Sequence, residues 1–256
     1  MIKLIQIFNI ISFIGMIIIN SLANTLPING KNTGEISDLY PNLFTPAGIT
    51  FSIWGIIYLL LLCFVVFQSQ GLIRPEKTPE AVKKIGWLFF LSCILNGSWI
   101  IAWHYQQIFL TLFIMILLLL VLVFIYRKLN SGLIKNTLQI TFFTKVPFSV
   151  YLGWITVAAI ANITVFMVSI HLDSIGIGGQ FWTCLMIIIA TIITLIVINK
   201  KRDIFYTLVI IWSLYGIIVK RIADIKPVNS IIYTAILAII IICLYMFTKY
   251  YQTRQN

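Results

Sequence analysis

The stretch TPAGITFSIWGIIYLLLLCFVVF, residues 45–67, decides how this chain folds. Its second half, Leu59 to Phe67, is continuously apolar and reads as lipid-facing filler. Its first half places Pro46, Gly48, Phe51, Trp54 and Tyr58 at spacings that lipid does not require. Proline is tolerated in a helix's first turn, where its missing N–H would have no partner, so Pro46 is expected to start the helix. Gly48 is expected to keep the mouth of that helix narrow enough for close packing. Phe51, then Trp54 or Gly55, then Tyr58 follow steps of three and four and share one helical face.

The rest of the chain repeats the apolar theme. Runs near 4–23, 47–68, 87–105, 109–126, 147–169, 181–198, 205–219 and 229–248 are long enough to cross roughly 30 Å of hydrocarbon. They do not alternate as barrel strands do, which leaves helices as the spanning form. The expected fold is all-α, a polytopic membrane bundle of about eight transmembrane helices, with the seventh run the shortest. Composition agrees: 61% hydrophobic against 10% charged, with a mean hydropathy of +1.04. A soluble globule, about half apolar, is excluded.

The net charge of +11 does not signal nucleic acid, because the basic residues form short clusters between apolar runs. Fourteen of the 18 Lys and Arg fall on one side of the bundle, which places both termini in the cytoplasm by the positive-inside rule. Lys31, Lys220, Arg221 and Lys226 fall on the other side. The last three are expected to snorkel and to pair with Asp224. Lys3, the apolar run after it and Ser21-Leu22-Ala23 have the form of a cleavable signal peptide. Asn20 and Asn24, four residues apart on one face, instead suit a retained helix turned toward protein.

Cys63, Cys93, Cys184 and Cys243 each lie in a different apolar run without a CxxC pair. They read as small apolar residues, not as metal ligands or disulfide partners, and no metal site is expected. Most loops are short. The exception is residues 24–46, NTLPINGKNTGEISDLYPNLFTP, rich in turn formers and carrying Glu35 and Asp38. Long irregular connections of this kind are functional lids or disordered segments. Asn24, Glu35, Asp38 and Pro46 belong to this candidate lid.

Two more runs carry polar and aromatic residues at helical spacing: Asn96, Trp99 and Trp103 in the third, and Trp154, Ala158 and Asn162 in the fifth. At 1.5 Å per residue, Trp54 lies roughly 12 Å below the outer end of its helix, Trp99 roughly 9 Å, Asn162 roughly 10 Å and Asn96 roughly 13 Å. Asn20 stands near the same level on the first run. Trp87 and Trp182 open their helices and read as interfacial belt residues. Trp54, Trp99 and Trp154 are too deep for a belt, which leaves core packing or the lining of a pocket. Trp103 fits either a belt or a pocket. His104 and His171 are expected to be interfacial residues at outer helix ends. Only a faint internal echo exists, Trp54/Tyr58 against Trp212/Tyr215.

These residues resemble the tryptophan-rich sensory protein family, also called the translocator protein or TspO/MBR family. Its second helix opens on Pro-Pro-Gly and continues with Phe, Trp and Tyr; here it reads Pro46-Ala47-Gly48-x-x-Phe51-x-x-Trp54-x-x-x-Tyr58. Its third helix carries L-N-x-x-W, matched by Leu95-Asn96-Gly97-Ser98-Trp99. Its fifth carries W-x-x-x-A-x-x-x-N, matched by Trp154, Ala158 and Asn162. The resemblance covers roughly residues 1–170. It departs at Ala47, which replaces the second proline, and at Pro147, which lies farther from Trp154 than in the family. Residues 171–256 would add three helices to the family's five, as a second bundle, a homodimer contact or a gate.

The resemblance implies a multi-pass protein of a bacterial-type plasma membrane, without a required cofactor. It implies a tetrapyrrole ligand, a porphyrin or haem, in a pocket beneath the long loop. Trp54, Tyr58, Asn96, Trp99, Trp154, Ala158 and Asn162 would be at or near it, and Phe51 and Asn20 join them by face and depth. Indole and phenol faces stack on large flat apolar ligands, and a few amides fix orientation. The cholesterol-type pattern at the end of the family's fifth helix is absent, since residues 163–180 contain no Tyr, Lys or Arg. A sensor or carrier is therefore expected, with a facilitator of small hydrophobic solutes as the rival. Ion-coupled transport is disfavoured by the near absence of mid-membrane charge. No catalytic constellation is legible, so no enzyme is expected beyond the light-dependent porphyrin breakdown proposed for relatives.

Overall fold

The computed structural model describes residues 1–26, 28–132, 137–171 and 178–255, with side chains described to residue 252. Lys135, counted on the basic side, and Pro27 of the candidate lid lie outside that description, as does the side chain of Arg254. Every regular element among the described residues is helical. In order they are α1 (Ile2–Thr25), α2 (Thr33–Asp38), α3 (Ile53–Ile73), α4 (Glu80–Ile85), α5 (Leu88–His104), α6 (Ile108–Leu129), α7 (Leu138–Ile140), α8 (Val146–Ser169), α9 (Gly179–Lys201), α10 (Ile204–Ile222) and α11 (Asn229–Gln255).

All eight apolar runs form helices, and seven of these are long and apolar enough to cross a membrane. The shortest is the third run and not the seventh: α5 has 17 residues, about 26 Å of rise, whereas α10 has 19. The fifth begins earlier than its hydropathy suggests. A single span runs from Leu138 to Ser169, widening into a π-turn at Thr141–Lys145. Pro147 explains the widening, since it has no N–H to return to the carbonyl four residues earlier.

The opening stretch also differs from its reading. Pro46 is buried but does not start the helix; a 3-10 turn runs over Gly48–Ser52 and α-geometry begins at Ile53. Gly48 is exposed with open space around it, so it provides no close approach. Nor is the stretch from Leu59 to Phe67 mere filler, because Leu61 and Phe64 are fully buried while Leu59, Leu62 and Val66 face outward.

The chain forms two compact units, Met1–Leu39 with Trp54–Ile155, and Tyr40–Ile53 with Thr156–Asn256. In the first, α5 packs against α1 and α6, and α4 lies on α6. Its core includes a triangle of edge-on phenylalanines, Phe64, Phe89 and Phe148, with ring centroids 4.9, 5.0 and 5.8 Å apart. A second buried feature is polar. Gln6 donates to the Gln68 carbonyl at 2.7 Å, and Asn9 donates to Gln68 Oε1 at 2.9 Å. Small Gly71 leaves room for it, because a Cβ there would collide with Gln6 and Thr78.

In the second unit α9, α10 and α11 pack against one another. The 3-10 turn docks on α10: Ala47 N–H donates to the Gly216 carbonyl and Trp212 Nε1–H to the Thr50 carbonyl, both at 3.0 Å. Gly216 is required there, since a Cβ would stand 2.9 Å from Thr50 Cβ and Cγ2. Arg221 pairs with Asp224 at 3.1 Å. The pairing matches expectation, but Arg221 is buried in the protein and does not reach outward.

Candidate functional site

The site is built in the first unit, where four helices each send one residue into a chain of hydrogen bonds. Tyr58 of α3 donates its hydroxyl to Asn20 Oδ1 of α1 at 2.8 Å. Asn20 Nδ2 donates to Asn96 Oδ1 of α5 at 2.8 Å and to the Met16 carbonyl at 2.9 Å. Asn96 Nδ2 donates to the Tyr151 hydroxyl of α8 at 3.0 Å. Asn20, Asn96 and Tyr151 are buried, and Tyr58 is half-buried. Buried amides must find partners. These two spend the oxygen and both protons of Asn20, and the oxygen and one proton of Asn96, on the protein itself. Gly97, next to Asn96, lets α5 approach α1: a Cβ there would stand 3.2 Å from Ile19 Cδ1.

An aromatic cluster centred on Trp54 shares Tyr58 and Tyr151 with this polar chain. Its indole stacks on Tyr58 at 5.4 Å and 23°. Tyr151 and Trp154 meet it edge-on, each with its centroid 6.2 Å away. Tyr151 and Trp154 are buried, whereas Trp54 and Tyr58 are only half-buried. The Trp54–Tyr58 pair is therefore the accessible part of the cluster, and the buried pair holds it from behind. Edge-to-face and offset geometries suit the ring quadrupoles and add about 0.5–1.5 kcal/mol per pair beyond burial.

The outer end of α5 does a different job. Trp99 stacks on Trp103 at 5.5 Å and 15°, and Trp103 Nε1–H donates to the Thr33 carbonyl of the long loop at 3.1 Å. Trp103 is buried, which rules out the belt reading. His104 is fully buried as well, contrary to the interfacial expectation, with Nδ1 2.8 Å from the Ile100 carbonyl. Asn29 of the loop donates to the His104 carbonyl at 3.0 Å. This part of the loop is ordered by its own capping box: Asn32 N–H donates to Glu35 Oε2 at 2.7 Å, and Glu35 N–H to Asn32 Oδ1 at 2.9 Å. The Glu35 carboxylate thus caps α2, while Asp38 is exposed.

The remaining candidates do not join the cluster within this unit. Phe51 is 40% exposed and belongs, with Pro46, to the second unit. Ala158 and Asn162 also belong there, and Asn162 Nδ2 donates to the Ala158 carbonyl at 2.9 Å. Asn24 is exposed and donates to the Asn20 carbonyl at 3.0 Å. Two residues escaped the sequence reading. Tyr151 sits three before Trp154, on the same helical face, and that spacing was available as a signal. Trp212 was visible only as a faint echo of Trp54, yet it anchors the 3-10 turn.

Among the described residues, seven spans of membrane length and an eighth, shorter apolar helix define an integral, multi-pass membrane protein. Its family follows from comparison with known proteins. The family model described as TSPO-like protein matches residues 6–248, and the chain belongs to that family. The match runs beyond residue 170, through α9 and α10 and into α11. No curated protein and no solved structure matches the chain.

Proposed function

We propose that this protein is a ligand-binding membrane sensor or carrier whose ligand is a planar apolar molecule of the porphyrin class. The observation that carries the reading is the half-buried Trp54–Tyr58 stack, backed by buried Tyr151 and Trp154. A flat aromatic ligand would extend that stack at low entropic cost, because the amide chain through Asn20 and Asn96 already fixes the rings. The amides act as braces, not as ligand contacts, since their hydrogen-bonding capacity is largely spent within the protein. The reading requires no catalytic residue and no resident cofactor.

The test is saturable quenching of intrinsic tryptophan fluorescence by protoporphyrin IX, with haem and a sterol alongside. Trp54→Ala is expected to weaken porphyrin binding about tenfold or more, a loss within the 1–3 kcal/mol seen for a stacking partner. Quenching that does not saturate, or that Trp54→Ala leaves unchanged, refutes the proposal. Counterflow of porphyrin in proteoliposomes separates a carrier, which exchanges its ligand across the bilayer, from a sensor, which does not.

A further inference from the structure

We propose that the cleft between α4, α5 and α6 at the basic end of the first unit binds the phosphate headgroup of an anionic membrane phospholipid. The cleft has a volume of ≈ 480 Å³ and is lined by Lys83, Lys84 and Lys128 together with Trp87, Phe90 and Leu91. Its form follows from the sequence. Helix α4 is a short amphipathic segment that buries Ala81, Val82 and Ile85 and leaves Lys83 exposed and Lys84 half-buried. Gly86, at φ +60 and ψ −132, a conformation reserved for glycine, then redirects the chain into α5. The lysines are thereby held at the level where the spans α5 and α6 end.

Charge in the cleft is not balanced from within. Glu80 pairs with Lys84 at 3.3 Å, which leaves Lys83 and Lys128 exposed without an ion pair among the described residues. Lys128 Nζ is tethered by donating to the Lys84 carbonyl at 2.9 Å. One proton of three is used, and two remain for an outside acceptor. A phosphodiester supplies that acceptor, carries the opposite charge and resides at this depth.

The apolar half of the cleft selects a lipid over a free ion. Trp87, 42% exposed, packs edge-on against Phe8 and Phe90 at 5.6 and 5.8 Å. From it, Leu91 and Ile94 continue down α5 at steps of four and three, 40% and 46% exposed. This is an apolar track for an acyl chain, descending from a cationic headgroup seat. Basic pockets between spans, with an interfacial tryptophan beside them, suit anionic headgroups.

The test uses the full-length protein in phosphatidylcholine vesicles containing a small share of bromine-labelled phosphatidylglycerol, or an equal share of bromine-labelled phosphatidylcholine. Quenching of Trp87 is read as the difference between the protein and its Trp87→Phe variant. The labelled anionic lipid is expected to quench at a roughly ten- to thirtyfold lower mole fraction than the zwitterionic one, from the effect of two lysines near the surface. Lys83→Gln/Lys128→Gln is expected to abolish that preference and the thermal stabilisation that phosphatidylglycerol gives, while Lys3→Gln/Lys77→Gln keeps both. Equal quenching by the two lipids in the unaltered protein overturns the proposal. So does a loss in Lys3→Gln/Lys77→Gln as large as in the cleft variant, which assigns the effect to diffuse surface charge. Inorganic phosphate that removes the preference at matched ionic strength assigns the seat to a free anion and overturns the lipid.

Discussion

Substituting Gly216 by alanine tests how the second unit is assembled. The added Cβ would stand 2.9 Å from Thr50 Cβ and Cγ2, and nearer still to its hydroxyl, where ordinary contact begins at 3.4 Å. Thr50 is 1% exposed and has nowhere to retreat, so the 3-10 turn and α10 must part by about 0.5–1 Å. Overpacking of this kind costs about 1–3 kcal/mol. Parting also stretches the bonds from Ala47 to Gly216 and from Trp212 to Thr50, both 3.0 Å, at about 0.6 kcal/mol each inside a membrane protein. The expected loss is therefore about 2–4 kcal/mol. It is read from unfolding in a graded detergent titration, accompanied by a red shift in Trp212 emission. Thr50→Gly removes both the methyl and the Cβ, so the double variant should show a favourable coupling of about 1 kcal/mol or more. Thr50→Ala keeps the Cβ in place and should rescue only part. A Gly216→Ala protein within about 0.5 kcal/mol of the parent, or a double variant without coupling, would refute the reasoning.

Two further outcomes are expected. Asn96→Ala breaks the hydrogen-bond chain at its centre and should cost about 1–2 kcal/mol. Asn20→Ala should then add less in that background than alone, which a double-mutant cycle in the same titration measures. Glu35→Ala removes half of the capping box and should weaken α2 by about 0.5–2 kcal/mol. Hydrogen exchange at the amides of Thr33–Asp38 should quicken while the unfolding midpoint stays put, because α2 is a six-residue element at the surface.

Much of the bundle is legible without coordinates. The bilayer demands long apolar segments with their backbone bonds satisfied internally, so the eight runs, their order and their helical nature follow from hydropathy. Periodicity likewise puts Trp54 over Tyr58 four residues later, and the stack is there. Hydropathy does not register local backbone geometry. Pro46 and Gly48 have the signature of a helix start, yet the turn that precedes Ile53 is a 3-10 segment held by α10.

What sequence by itself determined is an all-helical, multi-pass membrane protein of the TSPO-like family, with aromatic and amide residues at helical spacing on several spans. Those properties depend on residues near one another along the chain. Only the tertiary structure decided which amides meet, that Tyr151 closes the chain begun by Tyr58, Asn20 and Asn96, and that Gly216, not Gly48, permits the close approach of the 3-10 turn to α10. Each of these depends on partners dozens to well over a hundred residues apart, such as Thr50 and Trp212. A face is a local property of one helix; what it faces is fixed only when the helices pack.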